Sequence, residues 1–270
     1  HTNTMKITVI GSGSWGTAMA GHVAAHCDSV VMWAREPDVV ASINSEHRNC
    51  RYLKDYVLPD NVTATNDRSD AVDGTDGIIV AVPSAFLRST MESFRGIIDD
   101  ETPILALTKG IEEDTGLMMN DLIADALQRD DRIAVLSGPN HAEEVCKGTP
   151  AASVIASPSE EVARFFKELV CDRSLRVYVS DDVIGVETCA AGKNVVAIIC
   201  GMAAGLGFGD NTLAMLMTRG LAELGRLVSA RGGNPMTCMG LSGMGDMIAT
   251  CTSPHSRNRT FGYAFTYEGK

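Results

Sequence analysis

"MKITVIGSGSWGTAMA", residues 5–20, decides the fold. An apolar, β-branched run, KITVI, meets three glycines spaced G-x-G-x-x-G, and TAMAGHVAA follows as a helical segment. Gly11 allows the tight turn, Gly13 lets backbone approach a pyrophosphate, and Gly16 lets helix pack close on strand. The helix N–H groups then face the anion. By itself the motif is weak, since an ordinary tight strand-to-helix turn can carry it. Its surroundings decide: a strand before, a helix after, a second strand SVVMW (29–33) and a polar residue about 20 positions on. That polar position is Arg35, followed by Glu36. An acid there favours NAD through its ribose hydroxyls, whereas an arginine favours NADP through the 2′-phosphate. The cofactor is NAD or NADP, and Arg35 leans the reading to NADP.

Outward from this stretch, apolar runs and helix-like segments alternate to about residue 180. KITVI, SVVMW, GIIVAV, PILALT, RIAVLS and AASVIA are continuous in hydrophobicity, as strands covered on both faces are. Residues 115–129, TGLMMNDLIADALQR, carry helical periodicity between two of them. The alternation predicts a doubly wound, mostly parallel α/β sheet. After RVYVS (176–180) the strand pattern stops, and 182–231 read as long helices broken near GLGFGDN. The expected division is a dinucleotide-binding domain over 1–183 and an all-α substrate domain over 184–270.

Composition narrows the function classes. The chain has 270 residues and a net charge of −11, with no block of Lys and Arg. Nucleic-acid binding needs clustered cations, so none is expected. An anionic small molecule remains open to a few focused cations. No C-x-x-C occurs among the eight cysteines, which lie mostly in apolar segments. They read as reduced thiols of a cytoplasmic protein. HTNT at the start runs straight into a strand-like segment, with no signal peptide pattern. NVVAIICGMAAGLGFG (194–209) is short for a bilayer and reads as a buried helix, so no membrane partner is expected. The histidines at 22, 26, 47 and 255 have no ligand partner at useful sequence spacing, and His141 reads as a loop residue. No metal is expected.

Longer motifs carry a resemblance. GSGSWGTA, VPS (82–84), LTKGIE (107–112), SGPNHAEE (137–144), CAAGKNVVAIICG (189–201) and GLSGMGDMIATCTSPHSRNRTFG (240–262) occur in that order. Together they resemble the bacterial-type NAD(P)-dependent glycerol-3-phosphate dehydrogenases over essentially the whole chain. The resemblance implies a Rossmann domain followed by a helical domain, often as a homodimer. It implies interconversion of sn-glycerol 3-phosphate and dihydroxyacetone phosphate, feeding phospholipid synthesis. Members usually continue for several more helices beyond RNRTFG, which leads to the expectation of a chain shortened at its C-terminus.

The chemistry needs an acid/base, a hydride partner and a phosphate clamp. Lys193 stands alone in an apolar helical stretch, where desolvation favours a neutral amine able to accept and return a proton. A lysine snorkelling to water would read the same way; the resemblance makes it the general acid/base. Lys109 follows a strand end, where ligand crevices form, and the resemblance assigns it to substrate and cofactor. Asp246 reads as a turn or cap acid, and by resemblance it orients Lys193 and binds substrate. Thr250 lies one helical turn on. Arg257 offers a fork suited to phosphate, with Ser256 and Asn258 as short donors; a capped helix with surface arginines is the plainer reading. By resemblance, Gly138 and Asn140 approach the substrate and Ala142 the cofactor. Ser14, Trp15, Arg35, Lys109 and Arg257 are cofactor contacts on the same ground. Two other readings stay open: a different Rossmann-plus-helical hydroxy-acid or alcohol dehydrogenase, and a dinucleotide-binding module without turnover.

Overall fold

The computed structural model describes residues 4–269. It contains two compact units. One runs to Leu136 and takes in Asn140–Ala151 and Ile155–Asp181; the other comprises Ser137–Pro139, Ala152–Val154 and the chain from Asp182 onward.

The first unit grows around β1 (Lys6–Ile10), β2 (Ser29–Trp33), β3 (Val62–Thr65), β4 (Gly77–Val80) and β5 (Ile104–Ala106). β6 (Ile133–Ser137), β7 (Ala151–Ala156) and β8 (Leu175–Ser180) complete one sheet in the order β3-β2-β1-β4-β5-β6-β7-β8. All five pairings from β3 through β6 are parallel. β7 departs from this. The Ser157 hydroxyl donates to the Ile133 carbonyl at 2.9 Å, while Gly138 lies against Ser153, so the end of β7 meets the start of β6. β7 therefore runs opposite to β6, and the sheet is mostly parallel, as expected. Strand order reverses between β1 and β4, which opens a crevice at the carboxyl ends of those strands.

The central strands are buried on both faces: Ile7, Val9, Ile10, Ile78, Ile79 and Val80 have no exposed surface. Each such side chain contributes about 1.5–3 kcal/mol through burial. The edge strand β3 is absent from the sequence reading. Its VTAT alternates buried and exposed, and four residues make a weak signal. Helices α1 (Ser14–Val23), α2 (Pro37–Glu46), α3 (Arg68–Val72) and α4 (Ser84–Ser93) alternate with the first strands. α5 (Met119–Leu127) begins four residues later than the periodicity predicts. Gly116 takes φ +71° and Met118 bridges to Ile111, so 112–117 form a closed loop ahead of the helix. The short α6 (Ala142–Val145) and α7 (Glu160–Val170) follow; Ser159 caps α7 by accepting from the Val162 amide. One expectation about histidines is corrected here. His22, in the last turn of α1, and His26, in the 3₁₀ turn (Ala24–His26) after it, both face the Asp172 carboxylate in the turn before β8. The fold supplies a partner that sequence spacing did not.

The second unit is helical. α8 (Val183–Gly205), α9 (Asp210–Ala230), a 3₁₀ turn (Pro235–Met239), a π-helical turn (Leu241–Gly245), α10 (Asp246–Thr252) and α11 (Arg257–Tyr267) follow in order. Gly207, at φ +83°, makes the break between α8 and α9. α9, α10 and α11 all pack on α8. Asp182 anchors its start, accepting from the Gly185 and Asn234 amides and from the Thr237 hydroxyl. By length and composition α8 could cross a membrane, yet 56% of its most apolar window is buried within the protein. It is the core helix of this unit. Cys189, Cys200, Cys238 and Cys251 are buried around it as free thiols.

α8 and α11 cross at glycine. A methyl on Gly262 would sit 2.0 Å from the Ile198 carbonyl, and one on Gly201 would meet the Arg259 carbonyl at the same distance. Backbone cannot yield as a side chain does. Gly262→Ala is expected to force α11 off α8 and to lower unfolding free energy by about 1–3 kcal/mol or more, read by urea unfolding.

Candidate active site

At the carboxyl end of β1 the three glycines do three different things. Gly11 takes φ +118°, and a Cβ there would lie 2.4 Å from the Ala81 carbonyl oxygen. A Cβ on Gly16 would lie 2.5 Å from the Gly11 carbonyl. Gly13 differs: a Cβ would meet nothing within 4 Å. It caps α1 without any side-chain hydrogen bond, so the first N–H groups of that helix face open space. The first and third glycines close the turn, and the second leaves a cradle for an anion.

The loop is held from below. Asn49, fully buried, donates to the Ser12 carbonyl at 2.8 Å and to the Thr17 hydroxyl at 3.0 Å. Its own oxygen accepts from the Arg51 and Tyr52 amides. Sequence reasoning missed Asn49, because only the fold brings residue 49 to residue 12. Ser14 and Trp15 begin α1, Trp15 packing partly on the core. Arg35 is exposed just past β2.

Lys109 is half-buried beyond the carboxyl end of β5. Its loop is tied at both sides. The Thr108 hydroxyl donates to the Val82 carbonyl at 2.6 Å, and Arg88 grips both oxygens of Glu112 at 2.8 and 2.9 Å. Hydrogen bonding from Arg88 holds the Glu112 carboxyl below its ordinary range. Glu112 was read only as part of a motif; the structure makes it the anchor of the Lys109 loop. Asn140 is buried beyond β6, and His141 precedes Ala142, the first residue of α6.

The second unit holds the other group. Lys193, on α8, and Asp246, at the start of α10, are 8% and 3% exposed. The Lys193 ammonium donates to Asp246 Oδ2 at 2.5 Å. An ammonium in an apolar helix requires such a countercharge. The π-helical turn before α10 sets Asp246 in place, as wide turns often do at functional positions. Pro139 lies 3.6 Å from the position a Gly245 Cβ would take, which brings the Gly138 loop beside the Asp246 turn. Thr250 is buried one turn along α10. α11 starts at Arg257, which is exposed, with Asn258 half-buried after it. Ser256 is its cap, accepting from the Arg259 amide at 3.2 Å. The plainer reading, a capped helix, is therefore realised, and the arginine stands at its N-terminal end.

A Rossmann sheet with a glycine cradle and a helical unit with a buried Lys–Asp pair match one family. Residues 6–163 match the model of the NAD-dependent glycerol-3-phosphate dehydrogenase N-terminus, and 182–270 match that of its C-terminus. The chain belongs to this family. A glycerol-3-phosphate dehydrogenase (NAD(P)+) of Corynebacterium urealyticum is 47% identical over 259 residues, 96% of this chain and 78% of that protein. One from Corynebacterium diphtheriae is 47% identical over 268 residues, 98% of this chain and 80% of that protein. The crystal structure of the glycerol-3-phosphate dehydrogenase from Coxiella burnetii superimposes with a TM-score of 0.92 at 38% identity. That match covers 98% of this chain and 81% of the other.

The Gly13 cradle fits the pyrophosphate of the family's dinucleotide, because the helix start faces the one glycine of this loop where extra atoms meet no protein. Asn49→Ala leaves the Ser12 carbonyl and two amides without their partner. It is expected to cost about 1–3 kcal/mol and to weaken dinucleotide binding, checked by thermal unfolding and fluorescence titration of NADPH.

Proposed function

We propose that the chain interconverts sn-glycerol 3-phosphate and dihydroxyacetone phosphate with NAD(P)(H), as its relatives' names describe, in the service of glycerophospholipid synthesis. The buried Lys193–Asp246 pair carries this reading. Residues 1–183 serve as the dinucleotide-binding domain and 184–270 as the substrate domain. Gly11, Gly13, Ser14, Trp15 and Gly16 receive the dinucleotide, with Arg35 at the ribose of the adenosine. That position favours NADP over NAD. Lys109, Ala142 and Arg257 complete its contacts. The nicotinamide supplies or takes up the hydride.

The protein's own residues do the rest. In ketone reduction Lys193 donates a proton from Nζ to the carbonyl oxygen as the secondary alcohol forms. In the reverse direction the neutral amine recovers that proton from the hydroxyl. Asp246 holds the Nζ position and stabilises the charged form. Without it the buried lysine would lose its carboxylate countercharge. Arg257, Ser256 and Asn258 bind the phosphate at the head of α11, where helix N–H groups also face outward. Thr250, Gly138, Asn140 and Lys109 line the substrate. The protein is cytoplasmic and works as a homodimer, with no nucleic-acid or membrane partner.

The experiment is a spectrophotometric assay of NADPH and NADH consumption with dihydroxyacetone phosphate. Cofactor loss that depends on the phosphorylated ketone is expected, faster with NADPH. Lys193→Ala should lower turnover by about 10²–10⁴-fold while dinucleotide still binds by fluorescence. Turnover unchanged in that variant overturns the assignment. Arg257→Ala should instead raise KM for the ketone roughly 10–150-fold, the loss of hydrogen bonds to a charged group. An unchanged KM removes Arg257 from the phosphate site.

A further inference from the structure

His22, in the last turn of α1, and His26, at the end of the 3₁₀ turn (Ala24–His26) that follows it, stand with their rings edge to face at 5.6 Å. Asp172 reaches them from the turn between α7 and β8. Its Oδ1 is committed: it accepts from the Ser174 amide and hydroxyl and from the Leu175 amide at 2.7–2.9 Å. Its Oδ2 is thereby held towards the imidazoles, 3.7 Å from His22 Nε2 and 3.6 Å from His26 Nε2. Neither distance is a hydrogen bond.

The tautomers make this arrangement unusual. His26 Nδ1 donates to the Leu169 carbonyl at 2.8 Å, and a carbonyl only accepts, so the proton of a neutral ring sits there. Its Nε2 lone pair then faces a carboxylate oxygen, acceptor against acceptor. The Val170 carbonyl joins them, 2.7 Å from His22 Nε2. Three acceptors and one imidazole nitrogen thus converge at a half-buried point; side-chain exposure is 6%, 25% and 29% for His22, His26 and Asp172. Such a point calls for positive charge.

The geometry points to a site for a divalent transition cation, Zn²⁺ by ligand type, held by His22 Nε2, His26 Nε2 and Asp172 Oδ2. Ligands about 2.0–2.1 Å from a tetrahedral zinc stand roughly 3.4 Å apart. The donor atoms here all lie within 4.8 Å of one another, and two of the separations are 3.6 and 3.7 Å. Small inward movements close the set. The outer bonds are those that metal-bound residues generally make: a histidine N–H on a backbone carbonyl and a carboxylate fixed by its own loop. For His22 Nε2 to bind the ion, the ring proton it now shares with the Val170 carbonyl shifts to Nδ1, and that carbonyl or a water takes the fourth position. The ion would clamp the end of α1 to the turn after α7. His22 lies nine residues beyond the Gly13 cap, about 13 Å along the helix. The clamp is therefore structural and independent of the proposed dehydrogenase chemistry.

The test uses the full chain stripped with a chelator. Zn²⁺ is titrated by calorimetry and Co²⁺ by visible absorption, alongside His26→Asn and Asp172→Asn. Asn at 26 keeps an N–H for the Leu169 carbonyl and removes only the ligand nitrogen; Asn at 172 keeps the loop acceptor. Circular dichroism without metal establishes that each variant folds. The expected result is one ion per chain, Co²⁺ bands without thiolate charge transfer, and affinity at least tenfold weaker in each variant. Metal should raise the Tm of the parent chain and leave the variants unmoved. No binding by the parent chain, affinity in either variant equal to the parent's, or a thiolate band that assigns the ion to cysteines overturns the site.

Discussion

An ammonium group inside an apolar helix is the constraint on which the second unit depends. Lys193 is enclosed on α8, and desolvation of that charge would outweigh the packing around it unless a carboxylate stood within contact. Asp246 meets the requirement at 2.5 Å. To do so the chain must return to α8 after α9, turn through a 3₁₀ segment and a π-helical turn, and start α10 on the acid itself. Asp182 secures the same return from the other end, joining the first turn of α8 to Asn234 and Thr237. The glycine crossing of α8 and α11 then sets the head of α11, with Arg257, against the same core helix.

In the first unit the constraint is backbone rather than charge. A turn that passes over the Ala81 carbonyl leaves no room for a side chain at Gly11, and the helix start leaves space only at Gly13. Asn49 holds this shape through four hydrogen bonds. The Lys109 loop is fixed separately by Arg88, Glu112 and Thr108. Cradle and lysine loop both lie at carboxyl ends of parallel strands, where the sheet leaves helix N-termini and loops facing ligand. The open glycine cradle and the buried amine with its carboxylate are thus built by unrelated means in the two units.

Much of this was legible beforehand because it is local. Continuous apolar runs marked six of the eight strands and RVYVS the last, glycine spacing marked the loop, and a lone lysine in an apolar helix marked Lys193. The edge strand β3 escaped because a four-residue strand covered on one face has neither length nor a continuous apolar run. The late start of α5 escaped because a positive-φ glycine at 116 outweighs helical periodicity around it.

By itself the sequence determined the α/β alternation, the three glycines, the long apolar α8 and the types of residue able to move a proton or hold a phosphate. These follow from short-range periodicity and steric limits on φ, which act between neighbours in the chain. Only the tertiary structure decided which charges meet. It set Asp246 against Lys193, Glu112 against Arg88, Asn49 beneath Ser12 and Asp172 between His22 and His26. It also turned β7 against the direction of β6. Such pairings join residues tens to more than a hundred positions apart, and no local pattern encodes them. They arise because burial brings the elements together, and a buried polar group must then find its partner there.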